Sequence, residues 1–250
     1  MTVTAEPLGS ARIVRWEQAG RLNAWTRETI EAIAAAIEAA GADDGVRSIV
    51  ARGAGEHFSA GDDLHAALAA STDDWAATIA AFQRVTRVAL AAPVPVLAAI
   101  DGVCIGGALE FAASCDLRIA TDRARFATPE VGIGLAATNA GTLLLPEILG
   151  ETAARELLLT GAPRDPNWAL RHHFVSEIVA PEALDERIEA WTSGFDAVSR
   201  TAVARTKALL NARLGDLVTR AMDREERACV ELFDGTDARE ALEAFANRRR

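Results

Sequence analysis

Between residues 93 and 110 the chain reads Pro93-Val-Pro-Val-Leu-Ala-Ala-Ile100-Asp101-Gly102-Val-Cys-Ile-Gly106-Gly107-Ala-Leu-Glu110. Pro95–Asp101 is a short apolar run with proline before it and Asp-Gly at its end, the pattern of a buried strand. Glycines 102, 106 and 107 follow, and Ala108–Ser114 reads as a helix. A strand that turns through glycines into a helix belongs to an α/β protein. The same turn makes a site. Glycines at a helix start let a ligand approach main-chain N–H groups closely, and the helix dipole there favours negative charge. Glu110 falls in the first helical turn, a place where the dipole alone also favours a carboxylate.

Working outward, a second glycine-bearing segment, Glu56-His57-Phe58-Ser59-Ala60-Gly61-Asp62-Asp63-Leu64, follows a short buried strand at Val46–Ala51. Ala11–Glu17 reads as an edge strand. Ala24–Ala40 carries Ile30, Ile33 and Ile37 at helical spacing, with Asn23 as N-cap and Gly41 as stop. Trp75–Leu90 is helical, with Ile79, Phe82, Val85 and Thr86 on one side. Leu117–Ala120 and Arg125–Thr128 read as further short strands. Residues 1–195 thus form an α/β core of interleaved strands and helices. From Asp196 the texture changes to three helical stretches, Asp196–Asn211, Asp216–Phe233 and Thr236–Asn247, ended by an Arg248-Arg249-Arg250 tail read as solvated. The 196–250 region is expected to serve oligomerisation or to lid a site.

Composition narrows the functions available. The 250 residues carry a net charge of −10, which argues against a nucleic-acid binder because such proteins need a basic footprint. There is no Tyr, so tyrosyl acid chemistry is out, and Lys207 is the single lysine, so no Gly-Lys phosphate loop can be built. The 3 cysteines show no C-x-x-C spacing, which fits a reducing compartment. The N-terminal residues lack the basic and apolar regions of a signal peptide, and the longest apolar run, Val88–Ile100, is broken by two prolines. A soluble, cytoplasmic protein without membrane contact is expected. The histidines show no metal-ligand pattern, and no G-x-S-x-G elbow is present. Gly132-Ile-Gly134-Leu-Ala-Ala137 matches G-x-G-x-x-A, the dinucleotide fingerprint, but follows Thr128-Pro129-Glu130-Val131 instead of a long apolar strand. A nicotinamide oxidoreductase therefore stands as a rival reading only.

Taken together the segments resemble the enoyl-CoA hydratase/isomerase (crotonase) superfamily. The resemblance rests on Phe58-Ser59-Ala60-Gly61, on Gly106-Gly107-Ala108-Leu109-Glu110, on Cys115-Asp116 with its following strand, and on Phe126-Ala-Thr-Pro129-Glu130, in that order. It implies a spiral of repeated β-β-α units with a C-terminal helical region, a homotrimer or hexamer, and an acyl-CoA thioester substrate with no other cofactor and no metal. It further implies an oxyanion hole made by the amides of Ala60 and Gly107, and two catalytic glutamates, Glu110 and Glu130. Arg21, Ser59, Gly61, Asp62, Leu64, Gly106 and Gly134 are the expected substrate- or CoA-binding positions. Retention of both glutamates favours enoyl-CoA hydration over isomerisation. An isomerase or other crotonase-type acyl-CoA enzyme, or a non-catalytic acyl-CoA-binding scaffold, are the alternatives. Three features depart from the family pattern: Ala108 replaces a third glycine, Ala136–Thr142 replaces a glycine-rich loop, and Leu22 stands where a basic residue is usual, with Arg21 one place earlier.

Overall fold

The segment after Pro93 builds the centre of the molecule. A computed structural model describes residues 2–18 and 20–247, except for the side chains of residues 245 and 246. The Arg248–Arg250 tail lies outside the described residues. Strands β1 (Thr2–Leu8), β2 (Ala11–Glu17), β3 (Ser48–Gly53), β4 (Val96–Ile100), β6 (Leu117–Thr121) and β8 (Glu177–Val179) form one sheet in that spatial order. The β1–β2 pair is antiparallel and the remaining neighbours are parallel. Strands β5 (Val103–Ile105) and β7 (Arg125–Ala127) pair in parallel as a second, smaller sheet. Ser59 joins that second layer through a bridge to Cys104.

Each chain turn therefore visits the large sheet, then the small one, and returns through a helix. Strand β3 leads through the Ser59 bridge to helices α2 (Leu64–Ala69) and α3 (Thr72–Ala91). Strands β4 and β5 lead to α4 (Gly107–Ser114). Strands β6 and β7 lead to a 3-10 helix, Pro129–Ile133, and then to α5 (Gly141–Leu149). This is the expected β-β-α spiral. Its core is a continuous set of buried side chains from α1 (Arg27–Ala42), α3, α4 and the strands, with Trp16, Trp25, Phe58 and Phe111 meeting edge to face. Helices α6 (Glu151–Thr160), α7 (Pro166–Arg171) and α8 (Leu184–Ser193) complete the core.

Two local expectations change. Ala11–Glu17 is not an edge strand, because β1 turns back on it through Gly9-Ser10 and pairs along its whole length. Asn23 does not cap α1; Thr26 occupies that position. Asn23 instead adopts a left-handed backbone, and its amide group donates to Ala54 O and His57 O and accepts from Gln18 N–H. It thereby ties the turn after β3 to the turn after β2.

The last three helices, α9 (Arg200–Ala212), α10 (Leu217–Phe233) and α11 (Thr236–Asn247), pack on the chain's own core. Met222 of α10 is part of the main apolar cluster, and Cys229, Ala238 and Leu242 close a smaller one with Trp75, Ile79 and Leu135. Helix α9 is anchored by Lys207, whose Nζ donates to Asp116 (2.7 Å), Ala89 O (2.8 Å) and Val94 O (3.2 Å) and leaves the residue buried. No described helix is long and apolar enough to cross a membrane.

Candidate active site

The turns after β3 and β5 meet. Had Gly61 a Cβ, it would lie 3.4 Å from the Gly107 amide nitrogen and 2.6 Å from Ile105 O, so the two glycine segments are in direct contact. Gly107 is the first residue of α4, and its N–H has no described partner, as befits an orphan donor at a helix N-terminus. Gly106, in a left-handed conformation, lets the chain turn there, and a Cβ on it would stand 2.9 Å from Glu130 Oε1.

The expected second donor, Ala60, is not available. Its N–H donates to Leu22 O at 2.9 Å. The neighbouring Gly61 N–H is also engaged, by Ser59 Oγ at 3.0 Å. The amide without a described partner is that of Asp62. Asp62 bridges to Trp25 in parallel fashion, with Trp25 N–H donating to Gly61 O (2.7 Å) and Asp63 N–H to Trp25 O (2.9 Å). A parallel bridge of this kind uses the groups flanking Asp62 and leaves its own N–H turned to the other side. The unengaged amide thus lies two residues further along the same loop than Ala60.

A cavity opens at this junction, lined by Ala60, Asp62, Leu64, Gly106, Gly107 and Glu130 together with apolar side chains of α3. Glu130 stands on the 3-10 helix with Pro129 before it. Its carboxyl is pushed up to about 7 by burial. Glu110, 1% exposed, lies one layer deeper, and its carboxyl accepts from Thr138 N–H (3.3 Å) and Thr138 Oγ1–H (3.4 Å). Burial first, then the charges of Glu130 and Glu225, raise the Glu110 carboxyl well above the usual carboxylate range; the Thr138 bonds oppose this. Two neighbouring carboxyls held protonated more readily than usual give an acid and a base in one site.

Glu225 was not foreseen. It reaches in from α10, 5% exposed, and accepts from Ala140 N–H (2.7 Å), Thr142 N–H (2.8 Å) and Thr142 Oγ1–H (2.5 Å). Ala140 is left-handed, and it starts α5 without a side-chain cap of its own, so Glu225 supplies the missing acceptor from another helix. Asn139 in the same loop is bound by Thr86 Oγ1 (2.7 Å), and Gln83 Nε2 donates to Met222 O (3.0 Å), tying α3 to α10. The unusual Ala136–Thr142 loop is therefore a braced support for Glu110. A sign of this was present in the sequence: Glu225 falls between Met222 and Cys229 at helical spacing, on the face those residues bury.

The other expected binding positions divide. Leu64 and Gly106 line the cavity. Ser59 is fully buried and spends its hydroxyl on Gly61 N–H, so its part is structural. Gly134 faces the backbone of Asp237 and Ala238 on α11 and is not among the cavity's wall residues. Arg21 pairs with Asp63 at 2.6 Å while remaining half-exposed at the loop's rim. The dinucleotide reading of Gly132–Ala137 does not hold, since the segment is a 3-10 helix end and loop, with no strand feeding it and no helix opened by it. Among the described residues no group of three His, Cys, Asp or Glu could hold a metal ion.

A main-chain donor at a helix start, beside the half-buried Glu130 and the buried Glu110 on a β-β-α spiral, defines a protein of the crotonase fold. A profile of the enoyl-CoA hydratase/isomerase family matches residues 13–250, and the chain belongs to that family. It is similar to the crotonyl-CoA hydratase of Syntrophomonas wolfei, 32% identical over 230 residues, covering 92% of this chain and 88% of that protein. It is likewise similar to the short-chain-enoyl-CoA hydratase of Clostridium acetobutylicum, 29% identical over 249 residues, covering 99% and 95%. The crystal structure of an enoyl-CoA hydratase/isomerase from Xanthobacter autotrophicus superposes with a TM-score of 0.87 at 29% identity, covering 99% of this chain and 98% of that one.

Proposed function

We propose that the protein hydrates the 2,3-double bond of an enoyl-CoA thioester. The observation that carries this reading is the unengaged Gly107 amide and Glu130 on one cavity wall, with Glu110 directly behind that wall and close enough to feel the charge of Glu130. The thioester oxygen accepts from the N–H groups of Gly107 and Asp62. As water adds, the π electrons of the double bond move toward that oxygen, and a preorganised donor in a dry site contributes about 3 kcal/mol to such a transition state. One glutamate takes a proton from water as its oxygen bonds to C3. The other delivers a proton to C2 as the electron pair returns from the oxygen, so a water is consumed and no redox or metal step is needed. The raised carboxyls of Glu110 and Glu130 fit this division, because one of the pair keeps its proton near neutral pH. The similarity to hydratases of crotonyl and short-chain enoyl thioesters supports the reaction class.

A second reading has its own support. Glu130 lines the cavity while Glu110 lies behind Thr138, an arrangement suited to an isomerase in which a single carboxylate carries a proton from C2 to C4 of a 3-enoyl thioester. The variants Glu130→Gln and Glu110→Gln separate the two. For a hydratase each loses about 10²–10⁴-fold in hydration of crotonyl-CoA, the usual worth of a general acid or base. The double variant should be scarcely worse than the poorer single one, because the pair acts as a unit. If Glu110→Gln still converts 3-enoyl to 2-enoyl thioester at the wild-type rate, the enzyme is an isomerase. If both variants turn over normally but melt lower, the two glutamates are structural; if the wild type binds acyl-CoA yet turns over no thioester, the protein is a scaffold. A homotrimer or hexamer is part of the same proposal. Leu209 and Leu210 of α9, 75% and 62% exposed, offer it an apolar face, and a monomer mass by light scattering would refute it.

A further inference from the structure

Asp62 is out of place in its surroundings. The wall around it is mostly apolar, with Leu64, Trp75, Ile79, Phe82 and Ile105, and its polar side chains are Thr78, Thr138 and a second acid, Glu130. Its Oδ2 is shut off from solvent and has no hydrogen-bond partner. The nearby cations serve other acids. Arg21 is paired with Asp63, and the effect of Arg27 falls on Glu28 and Asp74. Burial, reinforced by the adjacent Asp63, pushes its carboxyl up to about 7. A buried carboxylate oxygen left without a partner is costly and an alanine would relieve it, so its presence at the cavity calls for a partner that arrives from outside.

Resting on the hydratase reading above, we propose that Asp62 is a polar subsite for a hydroxyl group carried by the acyl chain, so that the preferred substrate is a hydroxylated enoyl-CoA and not a plain one. The position of the hydroxyl follows from covalent geometry. The carboxyl oxygens are only four bonds from the Asp62 amide nitrogen that receives the thioester oxygen, so the donor must sit on the first few acyl carbons. A turn of the Asp62 side chain presents Oδ2 to the hydroxyl hydrogen, which supplies the partner that the protein itself does not provide. The apolar residues around it exclude competing water and make that bond selective, since a site built to bond a substrate hydroxyl is left with an unpaired buried group when the hydroxyl is missing.

The test compares kcat/KM for 4-hydroxycrotonyl-CoA and crotonyl-CoA in the wild type, Asp62→Asn and Asp62→Ala. The ratio of the two substrates is the readout, not the absolute rate, because the Asp62 amide belongs to the reaction machinery. The wild type should favour the hydroxylated substrate at least tenfold, Asp62→Asn should keep part of that preference, and Asp62→Ala should bring the ratio to about one. A wild-type ratio near one, or an unchanged ratio in Asp62→Ala, overturns the subsite. Calorimetric titration with 4-hydroxybutyryl-CoA against butyryl-CoA repeats the comparison without turnover. If neither enoyl thioester is hydrated but this binding preference is present and is lost in Asp62→Ala, the hydratase reading fails and the subsite stands. If the binding preference is also absent, both fail.

Discussion

The turn from β5 into α4 and the helix α10 both place a functional group at the same cavity, by opposite means. At the turn, everything is local: a strand ends, two glycines follow, a helix begins, and the Gly107 N–H is left free because no residue earlier in that helix exists to accept it. In α10, nothing is local. Glu225 reaches a loop 83 residues earlier in the chain, and that loop in turn holds Glu110. Backbone-made parts of a site are written in neighbouring residues, whereas the parts that brace side chains depend on which distant helix the fold brings alongside.

The brace offers the strongest way to break the comparison. Gly141 has no room for a side chain, since a Cβ there would fall 2.0 Å from Glu110 Oε1. Gly141→Ala should displace the Glu110 carboxylate and cost at least a hundredfold in hydration, while leaving thioester binding at the Gly107 end close to normal. Equal losses of binding and turnover in that variant would show that the two regions are not separable.

A smaller effect is expected at Glu225. Glu225→Gln keeps one acceptor for the Ala140–Thr142 turn but removes a negative charge that raises Glu110. We expect kcat to fall about tenfold, a fraction of the worth of a direct acid–base role. The acidic limb of the pH–rate profile should move to lower pH, because Glu110 then ionises more readily. Glu225→Ala, which strips acceptors from two buried amides, should in addition lose about 1–3 kcal/mol of stability. A melting temperature that falls while the pH profile stays in place would reduce Glu225 to a purely structural cap.

The smallest effect is on stability against pH. Glu130 titrates near 7 in the folded protein and near 4.5 in an unfolded chain, so between those values the native state binds more protons. Stability should therefore be highest below about pH 4.5, as far as Glu130 is concerned, and decline as pH rises toward 7. Glu130→Gln should flatten that decline, a difference readable in denaturant titrations at pH 5 and pH 8.

Much of this organisation was legible from the chain alone. The β4–β5–α4 unit, the helix at Ile30–Ile37 and Trp75–Leu90, and the three terminal helices all announce themselves through apolar periodicity and glycine stops. Strand β1 does not, because Pro7 and its mostly exposed residues give it no buried face to read. The shift of the free amide from Ala60 to Asp62 was invisible for another reason. Which N–H of a loop is spent depends on partners such as Leu22 O and Ser59 Oγ, and composition or periodicity says nothing about those. Asn23 shows the same limit, since its spacing suits a helix cap while its side chain serves three main-chain groups elsewhere.

The anchoring of α9 has a consequence for handling the molecule. Lys207 is the chain's single lysine, and its amine is buried against Asp116 and two carbonyls. A reagent that attacks ε-amines finds none exposed on the folded protein and one on every chain in which α9 has come away. Counting labelled molecules by intact mass thus turns one buried side chain into a meter of partial unfolding, without any engineered probe.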